Sequence, residues 1–232
     1  VFKSFYDSSW HHPGLALAAA LVFTVVLAAR RRFLSAWALL CFVETAVDAW
    51  FTGGWSPARG TPLERGLGIT FVILGDLRLF LAIEWVLSRG PRAVGLPDGR
   101  ALARAVPVAF VVPVLSTVPI QLFPQLFPRD DPFALHRIFI LYEAMFLVLW
   151  AVLRFVVFPR RLAEAPAEVR RWVFGLLSFF AVQYGAWVLA DAFILASHAD
   201  VGYLVRLVPN VLYYALFVPF AYLSAPAEWR EG

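Results

Sequence analysis

The chain has 232 residues, 61% hydrophobic and 16% aromatic, with only 16% charged and a formal net charge of +4. Soluble domains have about 45–50% apolar and about 25% charged residues, so this composition excludes an ordinary soluble domain. The basic excess is nearly all arginine at the ends of apolar runs, where it sets membrane topology, and it does not point to nucleic acid.

The apolar residues fall into long runs separated by short Arg- and Pro-bearing breaks, and ten-residue alternating strands of the kind an outer-membrane barrel needs are missing. The pattern predicts an all-α, polytopic transmembrane helical bundle with seven spans, in one integral membrane domain over residues 1–232. The first span, 14–30, ends in Arg30-Arg31-Arg32 without a small-residue cleavage site and is read as a retained helix. The second, 33–52, carries CFVETAVDAWF, with Glu44 and Asp48 one helical turn apart. The third, 67–88, holds Asp76, Arg78 and Glu84. The fourth, 101–123, is interrupted by Pro107, Pro113 and Pro119, and a kinked helix is expected there. The fifth, 135–158, contains His136, Tyr142 and Glu143; the sixth, 170–197, contains Gln183, Tyr184 and Asp191; the seventh, 203–224, contains Arg206 and Asn210.

Counting basic residues between spans orients the chain. Arg30, Arg31, Arg32, Arg89, Arg92, Arg100 and Arg104 fall on one side, joined by Arg154, Arg160, Arg161, Arg170, Arg171 and Arg230. The other side has Lys3, Arg59, Arg65, Arg129 and Arg137, so the N-terminus is expected outside and the C-terminus in the cytoplasm. Trp10, Trp55, Trp85 and Trp229 fall near span ends, where indoles favour the interface. RRRFLSAWALLCFVETAVDAWF is similar to RRWVFGLLSFFAVQYGAWVLADAF, as a duplicated three-helix unit joined by the fourth span would require; chance similarity of two apolar helices explains it equally well. The Arg- and Ala-rich, Lys-poor usage fits a GC-rich bacterial genome and hence an inner (cytoplasmic) membrane.

A carboxylate at membrane depth costs roughly 2.5 kcal/mol or more, yet the predicted spans carry Glu44, Asp48, Asp76, Glu84, Glu143 and Asp191. From the helical rise, Asp48 and Arg206 lie about 6 Å below the outer boundary, Asp191 about 9 Å, and Glu44, Asp76, Glu143 and Asn210 about 12–13 Å. Glu84 falls near the cytoplasmic end, from where it can snorkel. Spacings of four put Glu44 with Asp48, and Arg206 with Asn210, on shared faces; His136 and Glu143, and Asp191 and His198, are two turns apart. The expectation is an outward-facing acidic cavity built on Asp48, Asp76, Glu143 and Asp191, tuned by Glu44, Arg206 and Asn210. Arg78, Gln183, Tyr142 and Tyr184 add charge and hydrogen bonds. The structural alternative assigns Asp76 and Arg78 to an ion-pair network, with Arg206 serving Asp191 or Glu143.

Three functions fit. The first is a small transporter or binding protein that takes a proton, a cation or a small polar metabolite, with Pro107, Pro113, Pro119, Pro209 and Pro219 freeing carbonyls or allowing hinges. The second is an intramembrane metal-dependent enzyme acting on a lipid-like substrate near the outer leaflet, with His136, His198, Asp48 and Asp191 as ligands of a transition metal and Glu143 as general base. The third is a seven-helix sensor. His11 and His12 read equally as a loop pair or half a metal site. The seven-span plan with an outside N-terminus resembles that of rhodopsins in topology alone; the seventh span has no lysine, which excludes a retinal Schiff base. Cys41, the single cysteine, excludes an intramolecular disulfide and every Cys-based zinc cluster. The expected partners are the lipid bilayer and a small ligand or ion.

Overall fold

A computed structural model describes residues 1–8, 10–27, 33–90, 98–128, 131 and 133–230. Arg30, Arg31, Arg32, Arg92 and Arg129 of the charge pattern lie outside the described residues, as does the side chain of His12. The protein is all-helical, with no strand among the described residues. Among the described residues, six helical stretches are long and apolar enough to cross a membrane: Leu34–Thr52, Gly66–Ser88, Gly99–Leu122, Ala134–Arg161, Ala167–Ser197 and Gly202–Ser224.

In chain order the helices are α1 (Phe2–Tyr6), α2 (Leu15–Leu27), α3 (Phe33–Thr52), α4 (Leu63–Arg89), α5 (Gly99–Leu122), α6 (Ala134–Val152), α7 (Phe158–Arg161), α8 (Ala167–Ser197), α9 (Gly202–Val211), α10 (Phe217–Ser224) and α11 (Ala227–Arg230). The described part of the expected first span, α2, has 13 residues; at 1.5 Å per residue that is about 20 Å, against about 30 Å of hydrocarbon. Helix α5 runs without a break through Pro107, Pro113 and Pro119.

Prolines also stand in or beside three wide π turns that the apolar periodicity does not signal. One, Trp10–Gly14, contains Pro13. Leu153–Val157 joins α6 to α7 just ahead of Pro159, and Leu212–Leu216 joins α9 to α10 just ahead of Pro219. In the latter two the turn closes from the N–H of Phe158 to the Leu153 carbonyl, and from the N–H of Phe217 to the Leu212 carbonyl. A proline ring crowds the carbonyl four residues back and offers no N–H, so a five-residue step relieves the backbone.

The chain packs as two compact units. The first comprises Ser4–Ala109 and Val211–Gly232; the second comprises Val1–Lys3 and Phe110–Asn210. In the first, α3 is the hub, packing against α2, α4, α10 and α11, around a core that includes Trp37, Phe42, Leu79, Ile83, Trp85 and Trp229. In the second, α6 lies along α8, with Phe146, Phe158, Trp172, Leu176 and Phe180 buried. Large apolar side chains such as Val43, Val148, Val182 and Leu189 are exposed, while acids and arginines are buried. An apolar surface around a core that also buries charged groups is the arrangement a lipid-facing bundle requires.

Two expectations fail here. Trp85 and Trp229 are buried in the first unit's core, since their rings fill space between helices; Trp10 and Trp55 are exposed and meet edge to face at 6.2 Å. Glu84 does not snorkel: it is buried and held by a neighbouring group, because the face of α4 that carries it also carries the buried Phe80 and Leu81.

Ahead of α2, the His11 ring is buried with its Nδ1 2.9 Å from the Tyr6 carbonyl oxygen, so Nδ1 carries the donated hydrogen. Burial holds this ring below its ordinary value of 6.5, outweighing the Tyr6 hydrogen bond, which acts in the opposite sense. A base depressed in the folded state stabilises the fold fully above its unfolded value and loses that contribution as pH falls through the folded one. Thermal unfolding in detergent should therefore fall more steeply from about pH 7 to about pH 5 in the natural chain than in His11→Gln. Equal slopes would remove His11 from the acid response.

Candidate functional site

Each unit contains a buried polar network built around an arginine. In the first unit, α3 presents Glu44, Thr45, Asp48 and Thr52, and α4 presents Asp76 and Arg78. The π turn Leu212–Leu216 turns Tyr213 and Tyr214 toward them. Arg78 Nε lies 3.3 Å from Glu44 Oε2 and donates to the Gly75 carbonyl at 3.2 Å, while Nη1 donates to Thr45 Oγ1. The guanidinium stacks over the Tyr213 ring, 4.4 Å from its centroid. A side chain at Gly75 would collide with the Tyr213 hydroxyl, so glycine is what allows this tyrosine to reach the arginine.

Asp48 takes different partners. Its Oδ1 accepts from Thr52 Oγ1 at 2.9 Å, and the Tyr214 hydroxyl also donates to it. Thr52 lines an open polar pocket of about 200 Å³ with Tyr6, Asp7, Gly53, Gly54, Arg59 and Glu64, so Asp48 is one hydroxyl away from the surface. Asp76 is buried and engaged, with Tyr213 within electrostatic reach.

In the second unit, α6 supplies His136 and Glu143, α8 supplies Gln183, Tyr184 and Asp191, and α9 supplies Arg206 and Asn210. Asp191, fully buried, accepts at Oδ1 from Arg206 Nη1 at 2.6 Å and lies 2.8 Å from His136 Nδ1. His136 Nδ1 is also 3.0 Å from Arg206 Nη1, so it donates to the carboxylate in one tautomer and accepts from the guanidinium in the other. Arg206 covers the Phe139 ring at 4.8 Å. The Glu143 carboxyl is within hydrogen-bonding reach of Asp191. Glu143 Oε2, Asp191 Oδ2 and Gln183 Oε1 have no donor among the described residues, as holds for two facing carboxylates unless a proton sits between them. Tyr184 stacks on Phe146 at 4.6 Å, and Asn210 Oδ1 accepts from Trp187 Nε1 at 3.0 Å.

Within the first unit the contacts join Glu44 to Arg78, with Asp48 in electrostatic reach of both; within the second they join Asp191 to Arg206 and to Glu143. Of the structural alternatives, Arg206 does serve Asp191. His198 is exposed, closes α8 in a left-handed conformation (φ 52°) and lays its ring on Phe133 at 4.6 Å. Among the described residues no group of three or more His, Cys, Asp or Glu side chains is disposed to hold a metal ion. Thr45, Thr52, Phe139, Trp187, Tyr203, Tyr213 and Tyr214 escaped the sequence reading. Thr52 was within its reach, standing four residues beyond Asp48 on the same face.

Arg78→Met should destabilise the protein by about 3 kcal/mol, because it strands Glu44 without a cation. Adding Glu44→Gln to Arg78→Met should recover part of that loss, read as a coupling in a double-mutant cycle of unfolding in detergent. Additive losses would mean that the pair is not coupled. Comparison of the chain with family models, curated proteins and solved structures returns no match.

Proposed function

We propose that the chain is a small transporter or binding protein of a bacterial inner membrane, whose buried carboxylates take up a proton, a cation or a small polar metabolite. The arginine distribution supports seven spans with the N-terminus outside and the C-terminus cytoplasmic, α2 being the described part of the first. The observation that carries the functional reading is the Glu143–Asp191 pair. Asp191 already has Arg206 and His136 on one oxygen, and Glu143 faces the same carboxyl, its own Oε2 lacking a donor among the described residues. Two acids against one permanent cation leave one negative charge to be matched inside an apolar bundle, and a proton or a bound cation matches it.

In the first unit, Asp48 has hydroxyl partners while Arg78 is engaged with Glu44, and the polar pocket beside Thr52 offers access from the surface. Asp76, Tyr184, Gln183 and Asn210 line or brace these networks.

Liposomes containing the protein and a trapped pH dye, given inward gradients of sodium, potassium, a primary amine or a polyol one at a time, test this. At least one gradient should shift the luminal pH, and Glu143→Gln and Asp191→Asn should abolish the shift while the melting midpoint in detergent stays within a few degrees of the natural chain's. Normal flux in both amide variants would make the pair structural glue.

A further inference from the structure

Burial in the second unit deepens step by step from Asp200 to Asp191. Asp200 is exposed, Tyr203 half-buried, His136 8% exposed and Asp191 0%. Polar atoms follow the same order. The Tyr203 hydroxyl is 3.4 Å from His136 Nε2, His136 Nδ1 is 2.8 Å from Asp191 Oδ1, and the Asp191 carboxyl meets that of Glu143. Each of these groups, a phenol, an imidazole and two carboxyls, both gives and accepts a proton.

We propose that Tyr203, His136 and Asp191 form a proton relay that loads and unloads Glu143. The relay rests on the reading of the carboxyl pair as the binding centre and assigns that centre its path to water. Inward, a surface water gives a proton to the Tyr203 oxygen as the phenolic proton passes to His136 Nε2. The Nδ1 proton of His136 passes to the Asp191 carboxylate, and Asp191 passes one on to the Glu143 carboxylate. One O–H or N–H bond breaks for each that forms, and the net change is one proton from water to Glu143. Unloading reverses the steps and restores the original imidazole tautomer, so a site filled and emptied from one side needs no ring flip.

The charged and titratable neighbours suit this path. Arg206, fixed as a cation, touches both Asp191 and His136, and its charge repels any metal cation that would follow the proton. The Lys3 ammonium stands 5.4 Å from the centre of the Tyr203 ring. Phe133 and Phe139 close the sides with apolar rings, and His198 reaches no further than Phe133.

The test is infrared difference spectroscopy on the full chain in lipid nanodiscs, mixed rapidly into D2O. The natural chain should show a protonated-carboxyl band that Glu143→Gln removes and that deuterates quickly. Tyr203→Phe and His136→Asn should each slow that deuteration about 100-fold, the scale of a positioned proton donor. Added imidazole should restore the rate in His136→Asn, which repacking alone would not allow. A Glu143-dependent band that deuterates at the natural rate in Tyr203→Phe overturns the relay and leaves the binding centre standing. If no Glu143-dependent band is found at any pH, the relay falls, and with it the proton as what the carboxyl pair takes up.

Discussion

Arginine keeps its charge in every protein environment, so a buried guanidinium is a fixed demand that the surrounding fold has to meet. Arg78 and Arg206 make that demand inside apolar bundles, and each is met in the same three ways. A carboxylate approaches the guanidinium, Glu44 in one case and Asp191 in the other. An aromatic face covers it, Tyr213 or Phe139. A further polar group uses a remaining hydrogen, Thr45 for Arg78 and His136 for Arg206. Much local structure follows from meeting it. Gly75 has no side chain because Tyr213 needs the space, and the π turn at Leu212–Leu216 carries the two successive tyrosines of the network.

Satisfying the arginines creates an asymmetry among the acids. Glu44 and Asp191 are ion-paired with arginines, whereas Asp48 has Thr52 and Tyr214, and Glu143 meets the carboxyl of Asp191 with Arg206 in electrostatic reach. Hydroxyl donors solvate an anion without neutralising it, and a second carboxyl does neither unless a proton is shared. The arginine-bound acids therefore belong to the scaffold. Asp48 and Glu143 make no ion pair with an arginine among the described residues, which is why the proposed chemistry centres on them rather than on the ion pairs.

Much of this was legible along the chain and some was not. Helix existence came from the apolar runs, and the Glu44–Asp48 and Arg206–Asn210 faces came from the spacing of four, because both are properties of a single helix. Which arginine serves which acid depends on how helices pack, and the spacing left Arg206 open between Asp191 and Glu143. The fate of Glu84 and Trp85 was misread for the same reason. Position near a span end says where a residue sits along the helix axis, but not which way it faces. The π turns left no periodic trace, though Pro159 and Pro219 mark where two of them end, and Tyr213 and Tyr214 were lost with them.

Below Glu143 the second unit is packed with aromatic rings. Phe146, one turn further along α6, stacks on Tyr184, and Phe180 and Trp187 pack against the same tyrosine at 4.6 and 5.3 Å. These rings crowd that side of the carboxyl pair, with Gln183 and the Tyr184 hydroxyl as the polar groups among them. With the proposed relay on one side and these rings on the other, the carboxyl pair is placed to hold a proton rather than pass it on. Transport built on it needs a second arrangement in which α6 and α8 part, with the proton acting as the charge that makes one arrangement or the other the stable one. The π turn at Leu153–Val157 sits at the base of α6, where a helix already wound out of register loses little by moving. On this view the relay and the aromatic floor are two halves of one device, the first setting when Glu143 is charged and the second ensuring that the change in charge is felt by the packing.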